Sequence, residues 1–206
     1  MKKFILAAAA LFAALTTNAK TSGIQDVMPN GGFSLGVMFG VHPASSHDLD
    51  WATEDPVTPN FEIDGNWVLS SGFINAGKFG KNGAIDLGFY YGNCYYHNAW
   101  DEEIKCQQHV IGVRCAFHFE FVPKLDVYTG MMSGVNILVP YGDDKNGYYQ
   151  DGGYYVTRET DASYSMGPFI GCKYYFTDCF GVRGEFAADW ASDGASGAAI
   201  GVTFKF

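Results

Sequence analysis

Apolar and polar residues alternate with a period of two along most of the chain after residue 32. In the last segment, residues 198–206, the large apolar side chains Ile200, Val202, Phe204 and Phe206 share one face, and small or polar ones share the other. Such a strand is typical of a barrel wall that contacts lipid. A strand of a soluble sandwich more often carries its charges on the outer face. The pattern therefore predicts a transmembrane β-strand.

The same alternation predicts eight strands long enough to span a bilayer when tilted. Their approximate ranges are 33–41, 61–75, 84–96, 106–119, 125–138, 162–176, 180–190 and 197–206. Connections after the second, fourth and sixth strands are short. Asn82-Gly83 is a hairpin signal in the first short connection, and residues 120–124 form a turn around Pro123 in the second. The other connections are longer, which indicates an all-β, eight-stranded antiparallel up-and-down transmembrane barrel with both termini in the periplasm.

The beginning of the chain has the pattern of a secretory signal peptide. Met1-Lys2-Lys3 is basic, residues 4–15 are apolar and uncharged, and Thr17-Asn18-Ala19 offers small residues for cleavage. The apolar run is shorter than a membrane-spanning helix requires. The predicted organisation is a signal peptide at 1–19, a periplasmic N-terminal segment at 20–32 and an outer-membrane β-barrel domain at 33–206.

Composition agrees with a barrel and excludes one class of partner. The chain has 26 Gly, 17 Phe and 13 Tyr, and 17% of its residues are charged. High glycine and aromatic content without helical periodicity favours a closed β-structure. The net charge of −9 argues against nucleic acid as a partner, because binding phosphates requires a basic face.

Two segments near the end of the chain carry a family resemblance. The segment Gly171-Cys-Lys-Tyr-Tyr-Phe-Thr-Asp-Cys-Phe-Gly-Val-Arg-Gly-Glu185 resembles the penultimate hairpin of small outer-membrane β-barrel domains, in which a YYFTD-x-[FW]-G-[VL] turn joins strands six and seven. Residues 201–206 are similar to the last strand of that family. The resemblance implies a barrel like the OmpA and OmpX transmembrane domains, located in the outer membrane of a Gram-negative bacterium. It also implies contact with lipid and lipopolysaccharide, and makes Phe206 the signal that the barrel-assembly machinery reads.

The alternation places several charged residues in the barrel interior. The predicted lumen charge network consists of Arg114, Asp126, Lys173, Arg183, Glu185 and Asp189. An eight-stranded barrel is just wide enough to be filled by side chains. Because buried ions need partners, the network is interpreted as a salt-bridge plug. The alternative is a narrow path for protons or ions.

Cysteine and candidate catalytic or metal-binding residues give weaker indications. Cys94 and Cys106 lie near the ends of strands three and four, where the envelope allows a disulfide at the base of a loop, or two reduced thiols. Residues 45–48, Ser-Ser-His-Asp, contain the residue types of a hydrolytic triad, but adjacent loop residues seldom assemble one. His42 and His47 match no metal-ligand motif. The sequence therefore predicts no enzyme activity, no cofactor and no metal site.

The long connections are rich in acidic and tyrosine residues. This pattern favours a structural or interaction role in which a filled barrel displays its loops to an extracellular protein, glycan or cation, because tyrosine-rich loops supply adaptable contact area. Two alternatives stay open: a narrow pore for ions or small solutes, and a secreted lipocalin-like ligand binder.

Overall fold

The computed structural model describes residues 23–41, 60–97, 105–141, 148–151, 154–157, 160–188 and 197–206. Ten strands lie in these ranges: β1 Phe33–Val41, β2 Asn60–Asn75, β3 Lys81–His97, β4 Lys105–Val122, β5 Leu125–Tyr141, β6 Tyr148–Asp151, β7 Tyr154–Thr157, β8 Asp161–Tyr175, β9 Phe180–Ala187 and β10 Gly197–Lys205. Short 3₁₀ turns occupy Ile24–Asp26 and Gly77–Phe79. In this part of the chain no helix is long and apolar enough to cross a bilayer.

Eight of the strands form one closed antiparallel barrel, in the order β1-β10-β9-β8-β5-β4-β3-β2. Closure is made by β1 and β10, which pair from Ser34 opposite Lys205 to Val41 opposite Ala198. The predicted eight-stranded up-and-down barrel is thus confirmed. The small β6–β7 hairpin is a separate two-stranded sheet that the sequence did not predict. We call the end that carries the β2–β3, β4–β5 and β8–β9 turns the turn end, and the opposite end the loop end.

The two faces of the wall differ as the alternation predicts. On β4, Val113 is 57% exposed on the outside, whereas its neighbour Arg114 is 3% exposed in the lumen. Aromatic side chains cluster on the outer surface near the turn end, in three groups: Phe33, Trp67 and Phe206; Phe79, Phe119 and Phe121; and Tyr174, Phe176, Phe180 and Phe204. An apolar outer band with aromatic side chains clustered at its end is typical of a barrel that faces lipid.

Two turns differ from the prediction. Asn82 and Gly83 lie inside β3, and the chain reverses earlier, at residues 76–80. The Asn82 side chain instead joins β3 to β4, since its amide donates to the Glu120 carbonyl at 2.8 Å and its oxygen accepts from the Glu120 N–H at 2.8 Å. Glu120 was predicted in a turn, which is wrong: it is a buried residue of β4, and the turn is confined to residues 122–125.

The segment before β1 closes the turn end of the lumen. Ile24, Val27 and Met28 are buried in a cluster with Val68, Ala84 and Tyr175. Lys205 Nζ donates to the Asp26 carbonyl at 2.8 Å, and Gln25 donates to the Ser71 carbonyl at 3.2 Å. We call residues 23–32 the N-terminal strap. The sequence predicted this segment as periplasmic, without its packing into the barrel.

Candidate functional site in the barrel lumen

A network of ion pairs crosses the middle of the lumen. Glu185 on β9 accepts two hydrogen bonds from Arg114 on β4, at 2.7 and 3.2 Å, and one from Arg183 at 2.7 Å. Arg183 also pairs with Asp64 on β2. The Tyr128 hydroxyl donates to Glu185 at 2.8 Å and accepts from Arg183 at 3.2 Å. Four strands are thereby joined across the interior, and the paired charges satisfy one another away from water.

Glycine on β1 leaves the space that this network needs. Gly36 faces the lumen beside Arg183 and Asp64, and a Cβ at this position would collide with both side chains. The close approach explains why this lumen-facing position of β1 has no side chain.

Replacing Gly36 by alanine should therefore lower the free energy of unfolding by about 1–3 kcal/mol, because the added methyl group overpacks the ion pair. Gly184→Ala is the matched control, since the nearest atom to a Cβ there is the Ala199 carbonyl oxygen at 3.9 Å. Urea midpoints of the two variants, followed by heat-modifiable gel migration, measure the difference. Equal midpoints would mean that the network does not fill the lumen around Gly36.

A second charged cluster lies closer to the turn end. The His118 ring is between two carboxylates: Nε2 is 3.0 Å from Asp86 and Nδ1 is 2.9 Å from Asp126. Lys173 stands opposite Asp126 in the β5–β8 register, and its Nζ lies 5.0 Å from the Tyr128 ring. Tyr128 therefore links the two clusters.

Apolar side chains pack against the central network inside the lumen. Ala116, Tyr128, Met132 and Phe169 form one buried cluster, and the Arg114 guanidinium lies 4.0 Å from the Phe169 ring.

Five of the six predicted lumen charges are buried in the described interior: Arg114, Asp126, Lys173, Arg183 and Glu185. Asp189 lies outside the described residues. The predicted network did not include the buried residues Asp64, Asp86 and His118, although the alternation turns Asp86 and His118 inward as well. The alternation could have indicated Asp64, because Trp67 and Leu69 on the outer face place residues 64 and 66 on the inner one.

The strand register does not set Cys94 directly opposite Cys106. Cys94 is opposite Gln108, and Cys106 is opposite Tyr96, so the two cysteines are diagonal neighbours. Diagonal positions are about 7–8 Å apart, beyond the usual Cα separation of a disulfide. The register therefore disfavours the disulfide that the sequence allows. Cys115 and Cys172 are exposed on the outer face.

Other predicted features lie outside the described residues: the signal peptide at 1–19, the Ser-Ser-His-Asp segment at 45–48, and His42. Within the described ranges, no group of three or more His, Cys, Asp or Glu side chains is arranged to hold a metal ion.

A closed eight-stranded barrel with an apolar outer band and a charged, filled lumen has the architecture of the small outer-membrane β-barrels. Solved structures with the same fold include Ail, the attachment invasion locus protein of Yersinia pestis, in complex with the heparin analogue sucrose octasulfate. That structure has a TM-score of 0.52 and 13% identity, over 86% of this chain and 99% of Ail.

Two further structures give similar values. A second structure of Ail has a TM-score of 0.51 and 11% identity, over 86% of this chain and 99% of that one. The N-terminal β-barrel domain of Pseudomonas aeruginosa OprF has a TM-score of 0.46 and 13% identity, over 86% and 98% of the two chains. No protein-family model and no curated protein sequence matches the chain. At the level of the fold, the resemblance to small outer-membrane barrels is confirmed.

Proposed function

We propose that this protein resides in the outer membrane of a Gram-negative bacterium and acts as a rigid scaffold that displays acidic, tyrosine-rich loops. The observation that carries the proposal is the filled lumen. Ion pairs and the N-terminal strap occupy the interior, so a partner would bind at the outer surface of the protein. The outer face supports the membrane location, because large apolar side chains such as Ile200, at 71%, are exposed on it. Cofractionation with outer membranes and heat-modifiable migration test the location.

A narrow cation path is the second candidate, and the charge balance of the lumen favours it over an anion path. Six acidic side chains are buried there in the described residues, against three lysine or arginine side chains: Glu62, Asp64, Asp86, Glu120, Asp126 and Glu185 against Arg114, Lys173 and Arg183. Planar-bilayer recordings of the refolded protein separate the candidates. If the protein is a scaffold, we expect no conductance above that of the bilayer alone. Cation-selective conductance steps would contradict the scaffold proposal and support a pore.

The charge of the long connections narrows the chemistry of a loop ligand. Residues 42–59, 98–104, 142–160 and 188–196 together contain 13 acidic and two basic residues. Ail is described with a heparin analogue, which is polyanionic. In this chain the excess of carboxylates disfavours such a ligand and favours a cationic one. We expect a peptide of residues 139–161 to retain a basic protein and not a sulfated glycan, and retention of the glycan would contradict the proposal.

We propose Phe206 as the signal for assembly of the barrel. Phe206→Ala should leave export intact and reduce the amount of chain assembled in the outer membrane, with more chain left in the periplasm and open to protease. Phe206 is 75% exposed on the outer face, while its backbone N–H donates to Phe33 at 2.8 Å. The alanine variant therefore keeps the backbone pairing and loses the ring. Protease accessibility of fractionated cells measures the effect.

Phe204→Ala is the matched control, because it removes the same apolar group one strand repeat earlier. Phe204 is 39% exposed and its ring centre lies 5.4 Å from that of Phe180. If Phe206 is an assembly signal, Phe206→Ala assembles more slowly in cells than Phe204→Ala, yet both refold comparably from urea into detergent. Equal losses in cells would reduce the role of Phe206 to burial alone.

A further inference from the structure

A cleft of about 380 Å³ opens at the turn end of the barrel, beside the N-terminal strap. Its walls come from the strap, the end of β4 with the β4–β5 turn, the end of β8 with the β8–β9 turn, and β10. The lining residues are Asp26, Val27, Glu120, Pro123, Lys124, Tyr175, Thr177, Asp178 and Lys205. The cleft lies apart from the central ion-pair network, and the display function does not use it.

The buried carboxylate of Glu120 is the chemically distinctive group of this cleft. Glu120 is 1% exposed, although it lines the cleft. Its Oε1 accepts a hydrogen bond from the Lys124 N–H at 2.9 Å. Its Oε2 has no hydrogen-bond partner among the described residues. A buried carboxylate oxygen is costly without a donor, so a donor that reaches Oε2 from the cleft would be stabilised by it.

The geometry restricts the donor that fits. One carboxylate oxygen is already engaged, so the remaining oxygen suits an ammonium group better than a guanidinium, which prefers both oxygens together. A metal ion would require several protein ligands, and no such group exists in the described residues.

Cationic side chains lie at the same cleft. Lys124 is exposed in the β4–β5 turn, and Lys205 stands at the other wall with its Nζ bound to the Asp26 carbonyl. Lys124 is available to an anion close to Glu120. We propose that the cleft binds a small zwitterion of the phosphoethanolamine class, with its primary ammonium on Glu120 Oε2 and its phosphate at Lys124.

The test uses the mature protein refolded in detergent micelles, with amide chemical shifts of Lys124, Tyr175 and Lys205 as the readout. Phosphoethanolamine should give saturable shifts. Phosphocholine carries the same phosphate but a trimethylated ammonium that cannot donate to Glu120, and should bind about tenfold more weakly, the value of one hydrogen bond to a charged group. Equal binding of the two compounds, or no saturable shift with phosphoethanolamine, would overturn the proposal.

Two variants assign the roles of the side chains. Glu120→Gln should weaken the binding of phosphoethanolamine about tenfold and that of phosphocholine less, because the trimethylammonium loses a charge attraction but no hydrogen bond. Lys124→Gln should weaken the binding of both compounds to the same extent. This variant keeps the proposal testable if heat-modifiable migration shows that Glu120→Gln does not fold. Folded Glu120→Gln protein with unchanged phosphoethanolamine binding would reject the site. Bicelles with and without phosphatidylethanolamine then identify the source: the same shifts without soluble compound indicate a lipid headgroup, and their absence indicates a free solute.

Discussion

Replacing Glu185 by alanine should lower the free energy of unfolding by about 3–5 kcal/mol, the cost of removing one partner from a buried ion pair. Glu185 receives both terminal nitrogens of Arg114 and one of Arg183. Arg183 keeps Asp64, but Arg114 loses the carboxylate that neutralises it. A buried guanidinium without a counter-charge is the main source of the loss. Urea unfolding of the refolded protein in detergent, followed by gel migration, measures it.

Asp178→Ala is the control for this prediction. Asp178 is an exposed carboxylate in the β8–β9 turn, and its loss should change the free energy of unfolding by no more than about 0.5 kcal/mol. Glu120 would be an unsuitable control, because it is as buried as Glu185. Similar urea midpoints for the Glu185 and Asp178 variants would refute a buried network. Cation conductance that appears only in the Glu185 variant would show that the ion pairs close a latent path.

The faces of the wall were predictable because the pleat of a strand fixes them. Once Val113 is on the outside, Arg114 must point inward, and no knowledge of the rest of the fold is needed. The same rule places Asp64 in the lumen. The partners of these charges were not predictable, because Arg114 on β4 meets Glu185 on β9 across the interior. Which residues meet there depends on the stagger of the whole barrel, and alternation within one strand does not contain that information.

The strap and the cleft beside it had no comparable signal in the sequence. The buried residues Ile24, Val27 and Met28 lie in or directly after a single 3₁₀ turn, which is too short to show a periodic pattern of apolar residues. Their neighbour Val68 precedes a β-bulge in β2, where the register with β3 shifts between Val68 and Ser70. The bulge leaves both Leu69 and Ser70 exposed, so strict alternation fails beside the strap. The Asn82-Gly83 signal placed the hairpin turn at the wrong position. The asparagine side chain binds Glu120 on the next strand instead of forming a hairpin turn.

Replacing Val113 by arginine should lower the free energy of unfolding by about 2–4 kcal/mol in a bilayer, the cost of arginine on the lipid face near the midplane. Val113 lies halfway along β4 and is 57% exposed on the outer face, opposite Phe89 and Ser133. A barrel in water would tolerate the same change, because the guanidinium would be solvated. The variant therefore distinguishes a membrane barrel from a secreted lipocalin-like binder. The measurement is the urea midpoint in phospholipid vesicles.

Gln107→Arg is the matched control, since Gln107 lies on the same face of β4 close to the loop end. At the interface between membrane and water, an outward-facing arginine costs only about 0–1 kcal/mol. The substitution also removes one hydrogen bond, which the Gln107 side chain donates to the Tyr95 hydroxyl at 2.9 Å. Gly112→Ser cannot serve, because a Cβ at Gly112 would collide with the Ser133 backbone on β5. A depth-dependent loss, large at 113 and small at 107, is the signature of a hydrocarbon layer around the wall. If both variants unfold at the wild-type midpoint, the outer face of β4 is not in lipid, and the outer-membrane proposal fails with it.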